Sequence, residues 1–295
     1  MDSALARDVI ASQFPELSPA RVVHLGAGYD SDAFEVNGRW VFRFPKRLDV
    51  ERQLAIEARI LPAVTSSLPL AVPQFRFHGR PSAAFGRSFS GYPKLPGEPA
   101  IRLALEPRVL EEFAGTLGRF LEALHRFPVT TAREMGVPDE PVDRVIEEAR
   151  GDALSDLERV GTVDPEAPMD RWRTFIEQGV DLSNRCPPVV IHNDFAAEHV
   201  LVDAPTRIIT GVIDWSDAAI GDPAADFAGL YHWGGEALAE AVAAAYAGPL
   251  DPSALIRARY LGACRGAMDV TFGLDEGRPE YVAAGLRALR FCAGS

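Results

Sequence analysis

The stretch VVIHNDFAAEHVLVD, residues 189–203, decides the fold of this chain. Two apolar runs typical of strands flank a polar loop in which Asp194 stands between two histidines. A second stretch, IITGVIDWSD at residues 208–217, again carries an acid, Asp214, behind a run typical of a strand. Together the two stretches predict a hairpin that brings Asp194 and Asp214 to one edge of a sheet.

A pair of carboxylates at such an edge fits two kinds of chemistry. In phosphoryl transfer, one carboxylate orients and deprotonates the attacking hydroxyl, and another holds Mg²⁺, an ion that prefers oxygen ligands, against the phosphate. In a metallohydrolase, four residues would instead bind Zn²⁺, because imidazole and carboxylate both suit that ion. These four are His192, Asp194, His199 and Asp214. The residues alone leave both interpretations open.

Toward the amino terminus, the pattern predicts an antiparallel meander over residues 20–45. Its apolar runs are joined by a small polar segment and by Asn37-Gly38, two residues that tolerate the positive φ of a tight hairpin turn. Alternation of apolar and polar residues over 70–92 predicts two more strands. This part of the chain is therefore expected to be rich in β-structure.

Two helices are predicted beside the meander. The first covers residues 4–14, with Ser3 as its N-cap. The second covers about residues 49–61, with Asp49 as its cap. In each of them the apolar residues recur on one side, as in an amphipathic helix.

Beyond residue 92 the chain changes character. A connector rich in Pro and Gly, Tyr92-Pro93-Lys94-Leu95-Pro96-Gly97, marks a boundary between two parts. After it, apolar residues such as Leu110 and Leu117 recur at helical spacing behind Pro107, a good first helical residue. Further helices are predicted over 140–160, over 169–184 and over about the last seventy residues.

Four motifs stand in order along the chain: His192-x-Asp194, His199 five residues beyond that Asp, Ile213-Asp214-Trp215, and Gly221-Asp222-Pro223-x-x-Asp226-Phe227. Together they resemble the aminoglycoside and macrolide phosphotransferase family over nearly the whole chain, and most of all its 2″-aminoglycoside and macrolide 2′ branches. The resemblance implies an α+β protein with the bilobal fold of protein kinases. Residues 1–95 would form a small antiparallel β-rich nucleotide-binding lobe, and residues 96–295 a larger, mainly helical catalytic and substrate-binding lobe.

The resemblance also implies a role for each matched residue of the motifs. Asp194 matches the catalytic aspartate, which orients and deprotonates the acceptor hydroxyl. Asp214 matches the aspartate that binds Mg²⁺, and His199 stands where most members of the family have Asn as a second metal ligand. His192 and Asp226 match positions that support the catalytic loop.

In the amino-terminal part, the resemblance implies a nucleotide site. Arg43 stands where kinase-like enzymes place the Lys that grips the triphosphate, with Glu57 as its expected partner. Arg binds phosphate as a bidentate fork. The phosphates are also expected to contact Lys46, Ser31 and a loop that retains Gly26 and Gly28. The nucleotide base is expected to contact Tyr92, Pro93, Lys94 and Leu95. A bulky residue at the position of Tyr92 resembles the pattern of family members that use GTP, so ATP or GTP is the expected co-substrate.

The acceptor is expected to be a cationic small molecule. The resemblance places Asp217 beside the substrate, and Glu236 lies on a helix that could line the same site as Asp194. Carboxylates concentrate cations, which favours an aminoglycoside over a macrolide with its single amine. A metabolite kinase for choline, homoserine or a sugar stays open, because motifs for phosphate transfer are shared. A metallohydrolase leaves the β-rich part unexplained, and the intact Asp194 and Asp214 argue against a catalytically dead binding module.

Composition limits the other possibilities. The formal net charge of the 295 residues is −12, with a pI near 5.0, which argues against nucleic acid and anionic membranes as partners. The three cysteines lack metal-type spacing and are expected to be buried free thiols of a reducing compartment. Neither a signal peptide nor a run of about 18 apolar residues is visible. We expect a cytoplasmic monomer.

Overall fold

The structure is a computed structural model that describes residues 1–27, 30–103 and 106–294, with the backbone alone for Ala27, Pro107, Leu110 and Glu111. The expected roles of Gly28 and of the Leu110 side chain therefore lie outside the described residues. Contacts divide the chain into two compact units. The first unit is Met1–Ser66 with Ala71–Pro96, and the second unit is Ser67–Leu70 with Gly97–Ser295.

The first unit is built on a five-stranded antiparallel sheet. Its strands are β1 (Val22–Ala27), β2 (Ser31–Val36), β3 (Trp40–Pro45), β4 (Phe77–Gly79) and β5 (Phe89–Pro93), in the order β1-β2-β3-β5-β4. Asn37 and Gly38 turn the chain between β2 and β3 at φ of 56° and 68°, which these two residue types adopt readily. The predicted meander and the two further strands are confirmed.

One face of this sheet carries an aromatic core. Phe34, Phe42 and Phe44 alternate along β2 and β3 and are almost fully buried. They pack with Ile10 and its apolar neighbours on helix α1 (Ser3–Gln13). The amphipathic pattern of the first predicted helix is explained by this contact. A 3₁₀ helix, Pro15–Leu17, follows α1.

Both predicted helix caps are wrong by one or two residues. Asp2 caps α1, because its carboxylate accepts a hydrogen bond at 2.8 Å from the backbone N–H three residues on, and Ser3 is already helical. Helix α2 (Leu48–Val64) has Arg47 at the cap position. Asp49 lies in the first turn, where a negative charge still stabilises the helix through its dipole.

The opposite face of the sheet carries the main predicted nucleotide residues. The register pairs Ala33 with Arg43 and Val41 with Tyr92. Because side chains alternate between the two faces along a strand, Ser31, Arg43 and Tyr92 share one face, away from the aromatic core. Helix α2 reaches this face through its contact with Arg43.

The second unit is mainly helical. Its helices are α3 (Pro107–His125), α4 (Val129–Glu134), α5 (Val142–Val163), α6 (Met169–Gln178), α7 (Ala224–Ala245), α8 (Ala254–Asp275), α9 (Pro279–Ala293) and the 3₁₀ helix Ala100–Arg102. The predicted start at Pro107 and the helical carboxy-terminal part are confirmed. The prediction for 169–184 is too long, because Gly179 takes a φ of 65° and ends α6 at Gln178.

Two small sheets interrupt these helices. They are formed by β6 (Glu98–Pro99), β7 (Val189–Ile191), β8 (Val200–Asp203), β9 (Ile208–Val212) and β10 (Ala219–Gly221), with β6-β8-β9 in one sheet and β7 paired with β10 in the other. The predicted hairpin is β8–β9, and it is confirmed. The predicted α+β class is confirmed as well. Among the described residues, no helix is long and apolar enough to cross a membrane. All three cysteines are free, and Cys186 is only half-buried.

Candidate active site

The loop between β7 and β8 and the segment after β9 carry the site. The loop holds His192, Asp194 and His199, and Asp214 comes two residues after the end of β9. Asn193 and Asp214 have φ of 67° and 62°, a region that residues other than glycine rarely adopt. Such strain persists where the surrounding contacts over-determine the backbone, as they do at many active sites.

Asp226 on α7 holds this loop in place. Its fully buried carboxylate accepts hydrogen bonds from two successive backbone N–H groups, beginning at His192, at 3.0 and 2.8 Å, and lies 2.9 Å from Nε2 of His125. Helix α7 also passes very close at Gly229, where a Cβ would lie 1.8 Å from the carbonyl oxygen of Phe195. The loop is therefore fixed by both a buried acceptor and a close backbone contact.

His192 supports the loop from inside. Its ring is fully buried, with Nε2 3.1 Å from the Ile213 carbonyl, to which it donates, and Nδ1 accepting from the Asp194 backbone N–H at 3.3 Å. Burial lowers the pKa of His192, so the neutral ring, with one donor and one acceptor, is the form that fits. Because both nitrogens are engaged, His192 is a poor ligand for Zn²⁺. This removes one of the four ligands that the metallohydrolase interpretation needs.

His199 stands between the two aspartates. Its Nδ1 donates to the Asp194 backbone carbonyl at 2.9 Å and lies 3.3 Å from Asp194 Oδ2, while its Nε2 lies 3.8 Å from Asp214 Oδ2. Burial alone would lower the pKa of His199, but the negative charges of Asp194, Asp214 and Glu198 outweigh burial and raise the pKa to about 9. The carboxylates around His199 therefore favour a positive charge at this position.

The donor atoms of this site fit a small divalent cation. Asp194, Glu198 and His199 offer ligand atoms that lie within 4.8 Å of one another, and Nε2 of His199 faces Asp214. Carboxylate oxygens are the ligands that Mg²⁺ prefers. Asp194 and Glu198 are each paired with Arg265, and His199 with Asp214 stays the predicted metal-binding pair.

A charged cluster around Asp194 was missed by the sequence reasoning. Arg265 on α8 donates from Nη1 to Asp194 Oδ1 and from Nη2 to Glu198 Oε1, both at 2.5 Å. Burial would raise the pKa of Glu198, but the charge of Arg265 foremost lowers it to about 2. Asp269, one turn along α8, lies 2.8 Å from Nε2 of the buried His232. The available signal was an Arg and an Asp four positions apart in an otherwise apolar helical stretch.

The two acids predicted to bind the acceptor are placed differently. Asp217 is half-buried in the turn after β9, three residues beyond Asp214. Glu236 is exposed on α7, directly after Gly235, whose φ of 68° interrupts the helix. Asp217 thus lies beside the site along the chain, whereas Glu236 lies in a solvent-exposed position beyond a kink.

In the first unit, Arg43 and Glu57 form a buried ion pair. Nη1 of Arg43 donates to Glu57 Oε2 at 3.0 Å, and the two side chains are 7% and 0% exposed. On the same face, the buried Ser31 Oγ has no hydrogen-bond partner among the described residues, although buried hydroxyls normally have one. A phosphate oxygen would supply that partner. Tyr92 packs edge-on against Phe75, with ring centroids 5.5 Å apart.

The other predicted nucleotide contacts lie nearer the surface. Lys46 follows β3, and its Nζ is 3.8 Å from Oδ1 of Asp32, a residue of the face opposite to Ser31. Lys94 forms an ion pair with Glu35 at 2.6 Å. The remaining two positions, both half-buried, are Pro93 and Leu95. Among the predicted cations, Arg43 is the buried one.

Comparison with known proteins finds relatives over most of the chain. A family model described as the phosphotransferase enzyme family matches residues 21–258. The uncharacterized protein YcbJ of Bacillus subtilis is 28% identical over 199 residues, which cover 64% of this chain and 61% of that protein. The match therefore spans less than two thirds of that relative's length.

Solved structures match nearly the whole chain. The GDP and kanamycin complex of APH(2″)-IIia has a TM-score of 0.73 and 28% identity, covering 96% of this chain and 96% of that chain. The macrolide 2′-phosphotransferase MphH of Brachybacterium faecium, solved as the apoenzyme, has a TM-score of 0.60 and 26% identity, covering 92% and 91%. The resemblance drawn from the sequence motifs is confirmed.

Proposed function

Because this chain belongs to the phosphotransferase enzyme family, we propose that it transfers the γ-phosphoryl group of a nucleoside triphosphate to a hydroxyl group of an aminoglycoside. One observation carries the proposal: His199 lies 3.3 Å from the carboxylate of Asp194 and 3.8 Å from that of Asp214. A base next to a pair of metal-binding side chains is the arrangement that phosphoryl transfer needs.

In the proposed reaction, the acceptor oxygen attacks the γ-phosphorus. The bond between that phosphorus and the β–γ bridging oxygen breaks, the nucleoside diphosphate leaves, and the hydroxyl proton passes to Asp194. His192 and Asp226 hold the backbone around Asp194, which supports a fixed position for its carboxylate. Most of the rate enhancement would come from this positioning and from charge neutralisation.

We assign the Mg²⁺ site to His199 and Asp214. Mg²⁺ at this site would neutralise charge on the phosphate oxygens. The raised pKa of His199 means that its imidazole is protonated near neutral pH, so loading of the site would release a proton.

We assign the triphosphate to the face of the sheet that holds Arg43 and Ser31. Glu57 fixes the guanidinium of Arg43 on this face, and a guanidinium matches the geometry of a phosphate. Tyr92 lies on the same face, and we assign it to contact with the base of the nucleotide. A solved relative holds GDP, which favours GTP, and ATP is the alternative co-substrate.

An aminoglycoside is the acceptor we favour. The net charge of −12 and the half-buried Asp217 suit a molecule with several ammonium groups. A relative with the same fold holds kanamycin, whereas another is a macrolide phosphotransferase, so a macrolide is the second candidate. We propose that the protein is a monomer.

A screen of nucleotides and acceptors tests the proposal. Consumption of ATP and of GTP is measured separately, with Mg²⁺, against kanamycin, gentamicin, a macrolide, choline and homoserine, and product masses are checked for one added phosphate. We expect phosphorylated aminoglycoside. A product from the macrolide alone would reverse the choice of acceptor, and a product from choline or homoserine alone would make the protein a metabolite kinase. Nucleotide binding without any phosphorylated product would contradict the proposed acceptors.

A further inference from the structure

Arg265 enters the site from α8, far along the chain from the sequence motifs. It is 71 residues from Asp194 and 67 from Glu198, yet it donates to the carboxylates of both at 2.5 Å. One planar guanidinium thus spans two carboxylates that are four residues apart in the catalytic loop. The rigid fork of an arginine suits this geometry, whereas the ammonium of a lysine is a single point charge.

The contact with Arg265 leaves one side of the Asp194 carboxylate for an acceptor. Oδ1 of Asp194 receives the hydrogen bond from Arg265, while Oδ2 lies 3.3 Å from Nδ1 of His199. The shorter contact of that nitrogen, 2.9 Å, is with the backbone carbonyl of Asp194. The side chains of Asp194 and Arg265 are 26% and 23% exposed, so this carboxylate can be reached from solvent.

Charges behind Arg265 hold its guanidinium toward the loop. Its Nε lies 4.0 Å from Asp269, which in turn lies 2.8 Å from Nε2 of His232. Burial alone would lower the pKa of Arg265, but the carboxylates of Asp194, Glu198 and Asp269 outweigh burial and hold it well above its usual value. Nε of Arg265, Oδ2 of Asp269 and both ring nitrogens of His232 are buried without a hydrogen bond among the described residues. Asp269 therefore acts on Arg265 through its charge, at 4.0 Å, and not through a hydrogen bond.

We propose that Arg265 is the positioning residue of the catalytic base. Anchored by Glu198, it holds the Asp194 carboxylate so that Oδ2 faces the proton of the acceptor hydroxyl. The inference rests on the proposed phosphoryl transfer and adds to it a residue outside every sequence motif. Since a displacement of about 1 Å at a reacting group costs on the order of 10²-fold in rate, loss of this clamp acts on kcat.

Two substitutions of Arg265 and one control test the proposal. Arg265→Gln removes the charge, and Arg265→Lys keeps the charge but not the fork. The control, Arg259→Gln, removes another α8 arginine, whose Nε donates to the Cys292 carbonyl at 2.6 Å. We expect Arg265→Gln to lower kcat roughly 10- to 100-fold, with an unchanged KM for nucleotide. We expect Arg265→Lys to recover part of kcat, and the control to keep the wild-type value.

Melting temperatures separate positioning from folding. A merely structural role would lower kcat in step with the melting temperature and equally for both Arg265 substitutions, and that result would overturn the proposal. So would an unchanged kcat in Arg265→Gln.

A measurement that does not depend on catalytic turnover distinguishes this inference from the proposed function. Crystal structures of the wild type and of Arg265→Gln are compared for the orientation of the Asp194 carboxylate, which we expect to turn or to become disordered in the variant. If the wild type phosphorylates no acceptor, the proposed function fails, and this comparison still decides whether Arg265 positions Asp194. The same well-ordered carboxylate orientation in both crystals would overturn the inference.

Discussion

Each of the two units contains an arginine that binds a glutamate, and the two pairs are built differently. Arg43 and Glu57 in the first unit form an ion pair that is almost fully buried. Arg265 in the second unit divides its guanidinium between Asp194 and Glu198 and stays 23% exposed. Arg43 is thus held by a carboxylate of the neighbouring helix, whereas Arg265 joins two carboxylates of one loop, among them the proposed base.

This difference assigns separate kinetic roles to the two arginines. A residue that binds nucleotide equally before and during the reaction affects KM, whereas a residue that acts only in the transition state affects kcat. In the proposed function, Arg43 belongs to the first class and Arg265, through Asp194, to the second. Substitutions in the two units should therefore change different constants.

The largest effect is expected from Asp194→Asn. The amide keeps the shape of the side chain but cannot accept the proton, so kcat should fall by about 10²- to 10⁴-fold. Nucleotide affinity, measured by calorimetry, should stay within about twofold of the wild type, since the nucleotide is assigned to other side chains. A variant with nearly wild-type kcat would remove Asp194 from the chemistry.

A smaller effect, on stability, is expected from Asp226→Asn. The amide presents donors where the Asp226 carboxylate accepts two backbone N–H groups, which leaves buried groups without partners. We expect the free energy of unfolding to fall by about 2 kcal/mol, measured by urea denaturation, together with a lower kcat. An unchanged urea midpoint would mean that the loop does not depend on this anchor.

The same chemical change in each pair tests the comparison directly. Arg43→Lys should raise KM for the nucleotide about 10-fold, because the fork is lost, and leave kcat within about threefold. Arg265→Lys should instead lower kcat and leave that KM unchanged. Steady-state kinetics with the best acceptor measures both, and the reverse pattern would show that the two roles are exchanged.

The smallest effect is expected at a third pair, outside the site, where Arg257 donates to Asp251 at 2.5 Å. The hydrogen bond from Arg257 foremost lowers the pKa of Asp251 to about 2. The pKa of Asp251 in the folded protein thus lies below its value of about 3.9 in the unfolded chain. The pair therefore contributes its full stabilisation above pH ~4 and loses it as the pH falls toward ~2.

Asp251→Asn should therefore destabilise the protein at pH ~7, and by only about 1 kcal/mol because the buried Arg257 keeps Asp222 as a second partner at 2.8 Å. Urea denaturation at pH ~7 and at pH ~3 measures the loss, which should shrink at the lower pH, while kcat and KM stay unchanged. An equal loss of stability at both pH values would contradict the assigned cause.

The sequence predicted those features that depend on neighbouring residues. Asn37-Gly38 specifies its turn by itself, and the stretch around Asp194 places a base and the predicted metal ligands within one hairpin of each other. The cap of α1 was mispredicted because Asp2 and Ser3 are both good caps and stand side by side. The pair of Arg43 and Glu57, 14 residues apart, was predictable because kinase-like enzymes pair a cation on the third strand with a glutamate on the following helix.

Contacts between distant parts of the chain were not predictable in this way. Arg265 meets Asp194 across 71 residues, and His125 meets Asp226 across 101. Both contacts depend on how the helices of the second unit pack, which local patterns of apolar residues do not specify. The sequence shows that α8 carries the charged Arg265, but it does not show that Arg265 contacts Asp194.

The fate of a labelled γ-phosphate tests the central claim most directly. The wild-type protein is incubated with γ-labelled GTP or ATP and kanamycin, once with Mg²⁺ and once with a chelator. Our account predicts that the label appears on kanamycin, at one phosphate per molecule, and only when Mg²⁺ is present. Release of the label as inorganic phosphate whether or not an acceptor is added, or transfer that is equally fast with the chelator, would contradict it.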